Sequence, residues 1–182
     1  WTTDNLTDLG MTGVYAQLRY GNASGGASGL ELYQMDCLGF TGQTTGVEAL
    51  LSGTITPSNG YFSSHWQNLF EGIQRANGAI VNIPLKSPSS AEKKARYIAE
   101  AKFLRAYFYL RLNQLYKGVP IYLEPFTPEE ATKPRATEAE VWAQVFADLT
   151  AVIAEPNLPD RYAAGNASYG HVTKGAAYAL RG

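Results

Sequence analysis

The stretch IAEAKFLRAYFYLRLNQLYKGVP, from Ile98 to Pro120, constrains the fold of this 182-residue chain more than any other. Its residues and the preceding tyrosine place one apolar helix face at Tyr97, Ala101, Leu104, Phe108, Leu112 and Leu115. A second apolar face carries Phe103, Ala106, Tyr107 and Leu110. Because a helix that is apolar on two faces must be covered on both, we predict that it is the central helix of a helical stack. Glu92, Arg96 and Glu100, spaced four apart, are predicted on the remaining face.

Signals that start and stop helices predict two helices before the central one. The first follows a cap at Thr3 or Asp4, and the second runs from about Ser63 to Val81 and ends at Pro84. The apolar stripe of the second helix is Trp66, Leu69, Phe70, Ile73, Ala76, Asn77 and Ile80. Asn77 interrupts that stripe, so we predict that it is a buried polar group with hydrogen-bond partners.

Capping signals predict the central helix and two more after it. Ser89, with a glutamate three residues on, predicts the start of the central helix, and Gly118 predicts its end. Thr137, again with a glutamate three residues on, and Thr173 predict the starts of the last two helices. Helices two to five therefore form hairpins, and the sequence predicts a mainly α fold of tetratricopeptide-like helix pairs, an α-α superhelix with long loops.

The segment 21–62 is rich in glycine and is the least helix-like part of the chain. Long ordered loops of this kind are usually functional. The chain opens at Trp1 without a methionine and closes two turns into a helix. We therefore interpret residues 1–182 as the N-terminal helical part of a larger protein, with a long loop region at 21–62 and a helix-pair scaffold at 63–182.

Composition argues against several functions. The formal net charge of −1 and a pI near 6.2 provide no basic surface for nucleic acid. Cys37 is the single cysteine, and the two histidines, His65 and His171, lie far apart, so we expect neither an intrachain disulfide nor a metal site. The spacing of Gly165 and Gly170 matches a phosphate loop by chance, because the lysine that should follow is missing. We expect no cofactor.

Two groups of aromatic residues lead to different predictions. Trp66, Phe108, Trp142 and Phe146 lie on helix stripes, which predicts core packing. Tyr33, Phe40, Tyr61 and Phe62 lie in or beside the glycine-rich loop instead. Rings displayed on a loop suit stacking against sugars, with neighbouring polar groups to bind hydroxyls. The alternative, in which these rings anchor the loop onto the helices, remains open.

Four motifs, in order, resemble the SusD/RagB-like nutrient-binding outer-membrane lipoproteins of Bacteroidetes. They are HWQNLFEGIQRANGAI (65–80), AEAKFLRAYFYLRLNQLYKGVPIY (99–122), KPRATEAEVWAQVFADLTAVI (133–153) and YGHVTKGAAYAL (169–180). The resemblance implies a surface lipoprotein, not an enzyme, that captures glycans or peptides for a SusC-like TonB-dependent transporter. It implies an outer-membrane, cell-surface location through a lipid anchor that this chain lacks.

In that family, some ligand contacts come from loops before the tryptophan-containing helix. We therefore predict ligand contacts at Tyr33, Asp36, Phe40, Gln43 and Tyr61. Two other functions remain open. One is a tetratricopeptide-like scaffold that binds a partner protein or peptide. The other is an all-helical glycoside hydrolase that uses two carboxylates, with candidates at Glu31, Asp36, Glu48 and Glu71.

Overall fold

The computed structural model describes residues 1–19, 39, 54, 56 and 60–182. These ranges form five helices: α1 (Asp4–Ala16), α2 (Gly60–Lys86), α3 (Ala91–Tyr116), α4 (Glu138–Ala154) and α5 (Lys174–Arg181). No strand occurs in the described ranges. The predicted mainly α fold is confirmed, and the tetratricopeptide-like arrangement fits it. None of the described helices is both long and apolar enough to cross a bilayer.

Helix α3 is the centre of the stack, as predicted. It packs against α2 on one side and α4 on the other, and α1 also contacts it. Leu104, Phe108 and Leu112 are fully buried. On the remaining face, Arg96 and Glu100 form an ion pair of 3.6 Å one turn apart. Glu100 is completely buried there, and α1 and the segment before α5 contribute further partners for its carboxylate.

Helix α2 extends beyond the predicted bounds at both ends. It begins at Gly60 and continues through Pro84 to Lys86, so the prediction that Pro84 ends it is wrong. A proline removes only one backbone donor, and near the end of a helix little of the hydrogen-bond ladder remains to be broken. The ladder continues past it, with Ser87 N–H donating to the carbonyl of Ile83.

The start of α3 also differs from the prediction by one residue. Ser90 is the N-cap, and its hydroxyl accepts a hydrogen bond from Lys93 N–H. Ser89 does not serve as the cap, because it is buried and donates its hydroxyl to the carboxylate of Asp4 at the start of α1. The neighbouring Ser87 makes a hydrogen bond of 2.9 Å with Thr7. Serine hydroxyls between α2 and α3 therefore attach α1 to the stack.

Three other predicted helix boundaries are confirmed. Thr137 caps α4 in a reciprocal capping box with Glu140, and Thr173 caps α5. At the end of α3 the chain turns through two left-handed residues, Lys117 at φ 55° and Gly118 at φ 80°. A Cβ on Gly118 would lie 2.5 Å from the carbonyl oxygen of Ala136, so only glycine fits where the chain passes the start of α4.

Candidate functional site

A cleft of about 470 Å³ lies between the outer side of α2 and the irregular connector that joins α3 to α4. It is lined by Trp66, Gln67, Phe70, Glu71, Gln74, Pro120, Tyr122, Phe126, Pro128 and Ala131. Most of this lining is apolar. Its volume falls within the range of small-molecule sites, and we call it the aromatic cleft.

The rings of the aromatic cleft form a connected set. Trp66 and Phe70 lie one helical turn apart with centroids 4.8 Å from each other. Phe70 meets Tyr122 edge-on at 6.1 Å, and Tyr122 stacks on Phe126 at 4.0 Å. Leu69 and Ile73 lie on the same apolar stripe of α2 and are buried in the core, so Trp66 and Phe70 form the half-buried border of that stripe.

Gln74 attaches the connector to α2 beside these rings. Its amide Nε2 donates to the carbonyl of Phe126 at 2.7 Å, and its Oε1 accepts from Phe126 N–H at 3.1 Å. One turn further along α2, Asn77 donates from Nδ2 to the carbonyls of Tyr122 and Glu124. The prediction that Asn77 is buried with hydrogen-bond partners is confirmed.

A buried ion pair holds the side chain of Asn77 in position. Arg105 of α3 pairs with Asp148 of α4 through two hydrogen bonds of 2.7 and 2.8 Å. The remaining Nη1 of Arg105 donates to Asn77 Oδ1 at 2.8 Å and to the carbonyl of Leu123 at 3.1 Å. The wall of the aromatic cleft is therefore fixed to three helices.

The polar groups of the cleft lie along one edge of α2. Gln67 and Glu71 are exposed there, four residues apart. Glu71 forms an ion pair with Arg75, which also donates to the carbonyl of Gly13 on α1. An amide and an oriented carboxylate beside flat rings can bind a ligand that presents both apolar faces and hydroxyl groups.

A shallower depression adjoins the aromatic cleft at its Trp66 end. It is lined by Phe62, Ser63, Trp66, Gln67 and Tyr116 and holds about 360 Å³. Tyr116 meets Trp66 edge-on at 5.0 Å, and its hydroxyl donates to the carbonyl of Phe62 at 2.8 Å. Trp66 and Gln67 line both spaces, so the two adjoin along α2.

Of the five ligand contacts predicted from the sequence, one lies within the described residues. Tyr33, Asp36, Phe40 and Gln43 lie outside the described residues. Tyr61, predicted in or beside the loop, lies in the first turn of α2.

The predicted core aromatics divide into three groups. Phe108 is fully buried, as predicted. Trp66 and Trp142 are only half-buried, and Phe146 is 43% exposed, so the core prediction is wrong for Phe146. Trp66 was missed as a site residue because it shares helical spacing with the core stripe. Phe126 was also missed as a site residue, because the proline-rich connector in which it lies has no periodicity that would indicate which side chains share a surface.

A separate cluster of titratable groups surrounds Glu100. Its Oε2 accepts a hydrogen bond of 2.8 Å from the Tyr15 hydroxyl and lies 3.1 Å from Nδ1 of His171. The Tyr15 oxygen in turn accepts from Val172 N–H at 2.9 Å. Burial raises the pKa of the Glu100 carboxyl above its ordinary value, although Tyr15, His171 and Arg96 oppose that rise. The cluster joins α1, α3 and the segment before α5.

Comparisons of the sequence with known proteins agree on one family. Residues 13–181 match a family model described as starch-binding and associating with the outer membrane. A SusD-like protein of Formosa agariphila is 32% identical over 111 residues, covering 60% of this chain and 21% of that protein.

Solved structures agree with this match. A SusD-like carbohydrate-binding protein of Bacteroides fragilis superposes with a TM-score of 0.81 at 28% identity, covering all of this chain and 36% of that one. A laminarin-binding SusD-like protein superposes with a TM-score of 0.76 at 25% identity, covering 99% of this chain and 39% of that one. The chain thus spans about a fifth of the curated relative and less than half of the solved ones.

Proposed function

The chain belongs to the SusD-like family, and we propose that it is part of a cell-surface protein that captures glycans for import. The family description names starch binding and the outer membrane. Two structural relatives are described as carbohydrate-binding and laminarin-binding. In this proposal the protein binds oligosaccharide without catalysing a reaction, and it passes the ligand to a SusC-like TonB-dependent transporter.

The observation that carries this proposal is the aromatic cleft. Sugar rings have apolar faces that pack on aromatic side chains and hydroxyl groups that need polar partners. Trp66, Phe70 and Phe126 supply the rings, and Gln67 and Glu71 supply an amide and a carboxylate within the same lining. Because the connector is fixed by hydrogen bonds, the cleft exists before ligand arrives, which lowers the entropy cost of binding.

Calorimetric titration of the full-length protein with neutral hexasaccharides tests this function. The panel contains laminarihexaose, maltohexaose, cellohexaose and mannohexaose, and we expect saturable binding of at least one. The same ligand should raise the melting temperature, because a ligand at 100 times its Kd stabilises the folded state by about 2.7 kcal/mol. Heats indistinguishable from dilution for the whole panel would reject the proposal.

The loop residues remain part of the proposal as additional contacts. Tyr33, Asp36, Phe40, Gln43 and Tyr61 have side chains suited to stacking and to hydroxyl binding. A triple alanine variant at Tyr33, Phe40 and Tyr61 should weaken binding of the identified hexasaccharide by the full-length protein. Unchanged affinity in that variant would mean that these three side chains do not contact the hexasaccharide and that other parts of the protein bind it.

The strongly apolar lining of the cleft also favours a second candidate, a peptide ligand or protein partner. Proline and aromatic side chains line much of the cleft, and such surfaces accept apolar peptide segments. A panel of short aromatic-rich peptides, titrated as for the sugars, separates the two functions. Binding of peptides with no response to any hexasaccharide would replace glycan capture with peptide capture.

Transfer to a transporter makes a separate prediction. Full-length protein purified from its own outer membrane in mild detergent should co-elute with a TonB-dependent transporter in stoichiometric amount. Mass spectrometry of the co-eluting band identifies that partner. Elution of the protein alone, at membrane concentrations where such complexes persist, would argue against a stable complex.

A further inference from the structure

We propose that the aromatic cleft and the adjoining depression form one groove that binds a linear, uncharged oligosaccharide lying lengthwise along α2. This inference rests on the proposed glycan binding and adds to it the direction, the extent and the charge of the ligand. It assigns the selection against acidic glycans to Glu71 and to the lack of a lysine or arginine among the described lining residues.

The direction of the ligand follows from the order of the lining residues. Ser63, Gln67, Glu71 and Gln74 repeat every three or four residues along α2, so they form a polar row parallel to the helix axis. The eleven steps from Ser63 to Gln74, at a rise of 1.5 Å each, span about 16 Å, several times the width of one sugar ring. Phe62, Trp66 and Phe70 run beside this row at four-residue intervals.

Trp66 lies at the junction of the two parts of the groove. It lines both the cleft and the depression, and its ring contacts Phe70 on one side and Tyr116 on the other. A saccharide that stacks on Trp66 can therefore extend in both directions, toward Phe126 and toward Phe62. A single sugar ring would occupy only part of this surface.

The charge preference follows from what lines the groove. Among its described lining residues, Glu71 is the one charged side chain, and no lysine or arginine is present. Arg75, the nearest cation on α2, is directed to Glu71 and to the carbonyl of Gly13. Lys133 of the connector lies over the ring of Tyr122 and is directed to the carbonyl of Ile121. A uronate or sulfate in the groove would lose water without gaining a cationic partner and would lie near a carboxylate.

The first experiment measures affinity as a function of ligand length. The full-length protein is titrated with the di-, tri-, tetra-, penta- and hexasaccharide of whichever neutral series binds. We expect the Kd to fall by about tenfold or more from disaccharide to hexasaccharide, because a chain longer than two rings contacts more of the groove. Equal affinity for the disaccharide and the hexasaccharide would overturn the extended groove while leaving glycan capture intact.

The second experiment tests the charge preference with hexagalacturonate as the acidic probe. We expect its Kd to exceed that of the neutral hexasaccharide by about tenfold or more. Glu71→Gln keeps the shape of the side chain and removes its charge. The Kd for hexagalacturonate, divided by the Kd for the neutral hexasaccharide, should therefore be smaller in this variant. Equal or tighter binding of hexagalacturonate to the unmodified protein would overturn the charge assignment.

The third experiment locates the ligand. Gln67→Ala and Trp66→Phe should each weaken binding of the neutral hexasaccharide, and Gln67 is exposed, so its replacement leaves the fold intact. Trp142→Phe is the matched control, because Trp142 is a half-buried tryptophan of α4 outside the groove. Glycan binding that is unaffected by both groove variants would overturn the inference and show that another surface binds the sugar. Failure of every hexasaccharide to bind would instead reject the proposed function.

Discussion

Arg105 and Asp148 form a buried two-point ion pair that joins α3 to α4. The same guanidinium donates to Asn77 on α2 and to the carbonyl of Leu123 in the connector. One cation therefore links three helices to the wall of the aromatic cleft. Both side chains are almost completely buried, so neither charge has water as an alternative partner.

Replacing one member of this pair should destabilise the fold strongly. Asp148→Ala leaves a buried guanidinium without its carboxylate, and such changes cost about 3–5 kcal/mol. Urea unfolding followed by circular dichroism gives the free energy of unfolding of the variant and the parent. Asp160→Ala, at an exposed acidic residue, is the control and should lie within about 0.5 kcal/mol of the parent. A loss below 1 kcal/mol for Asp148→Ala would contradict the structural role of the pair.

Two glycines of α2 should respond in opposite directions to the same substitution. A Cβ on Gly72 would lie 2.6 Å from the ring of Phe108, so Gly72→Ala should push α2 and α3 apart and cost about 1–3 kcal/mol. A Cβ on Gly78 would meet no atom within 4 Å, so Gly78→Ala should stabilise the helix by about 0.5–1 kcal/mol. Thermal unfolding of the two variants side by side measures both, and melting temperatures shifted in the same direction would contradict this packing.

Gln74→Ala should loosen the connector without unfolding the helices. The substitution removes two hydrogen bonds to the backbone of Phe126, each worth about 1 kcal/mol. Hydrogen exchange of the Phe126 amide should therefore accelerate, while amides in the middle of α3 keep their protection. The same variant should bind the neutral hexasaccharide more weakly, because the wall of the cleft is no longer fixed. Unchanged exchange at Phe126 would mean that other contacts hold the connector.

Glu100 should make stability depend on pH in a direction unusual for a carboxylate. Burial raises its pKa in the folded state above the ordinary value of 4.5, so the folded protein holds this proton more tightly than the unfolded chain does. Its favourable contribution is complete below pH 4.5 and is lost as the pH rises through the folded-state pKa. The groups that face it are Tyr15 of α1, Arg96 of α3, Tyr162 and His171.

The variant Glu100→Gln isolates this effect, because every other titrating group is common to both proteins. The free energy of unfolding of the variant, minus that of the parent, should increase as the pH rises above 4.5. Urea titrations at four or five pH values, beginning below pH 4.5, measure the difference. A difference that stays constant with pH would mean that Glu100 titrates alike in the folded and unfolded states.

The helices could be predicted from the sequence more completely than the site. Apolar periodicity predicted the helices and the central place of α3, because apolar residues that repeat at helical intervals show which faces of a helix are buried. The boundary at Ser89 was wrong because two adjacent serines both suit a cap, and the contact of Ser89 with Asp4 comes from a helix 85 residues away. The prediction that Pro84 ends α2 was wrong because a proline in the last turn of a helix destabilises it less than a proline in the middle.

The burial of Glu100 and Arg105 could not be inferred from spacing, since their partners come from distant helices. Tyr15 and Asp148 lie 85 and 43 residues away from them. The cleft was missed for the same reason, because Gln74 and Phe126 are 52 residues apart. Residue type still anticipated Asn77 correctly, since an amide on an otherwise apolar stripe must find partners.

The anchoring of the connector has a consequence for how this protein can diversify. Gln74, Asn77, Arg105 and Tyr109 all bond to main-chain atoms of residues 122–126. Every residue type except proline offers the same N–H and carbonyl groups, so these bonds do not depend on which side chains the connector carries. Mutations at Phe126, Pro128 or Ala131 can therefore change the lining of the cleft while its backbone stays in place. The helices keep the architecture constant, and the side chains of the connector can vary without loss of these backbone bonds.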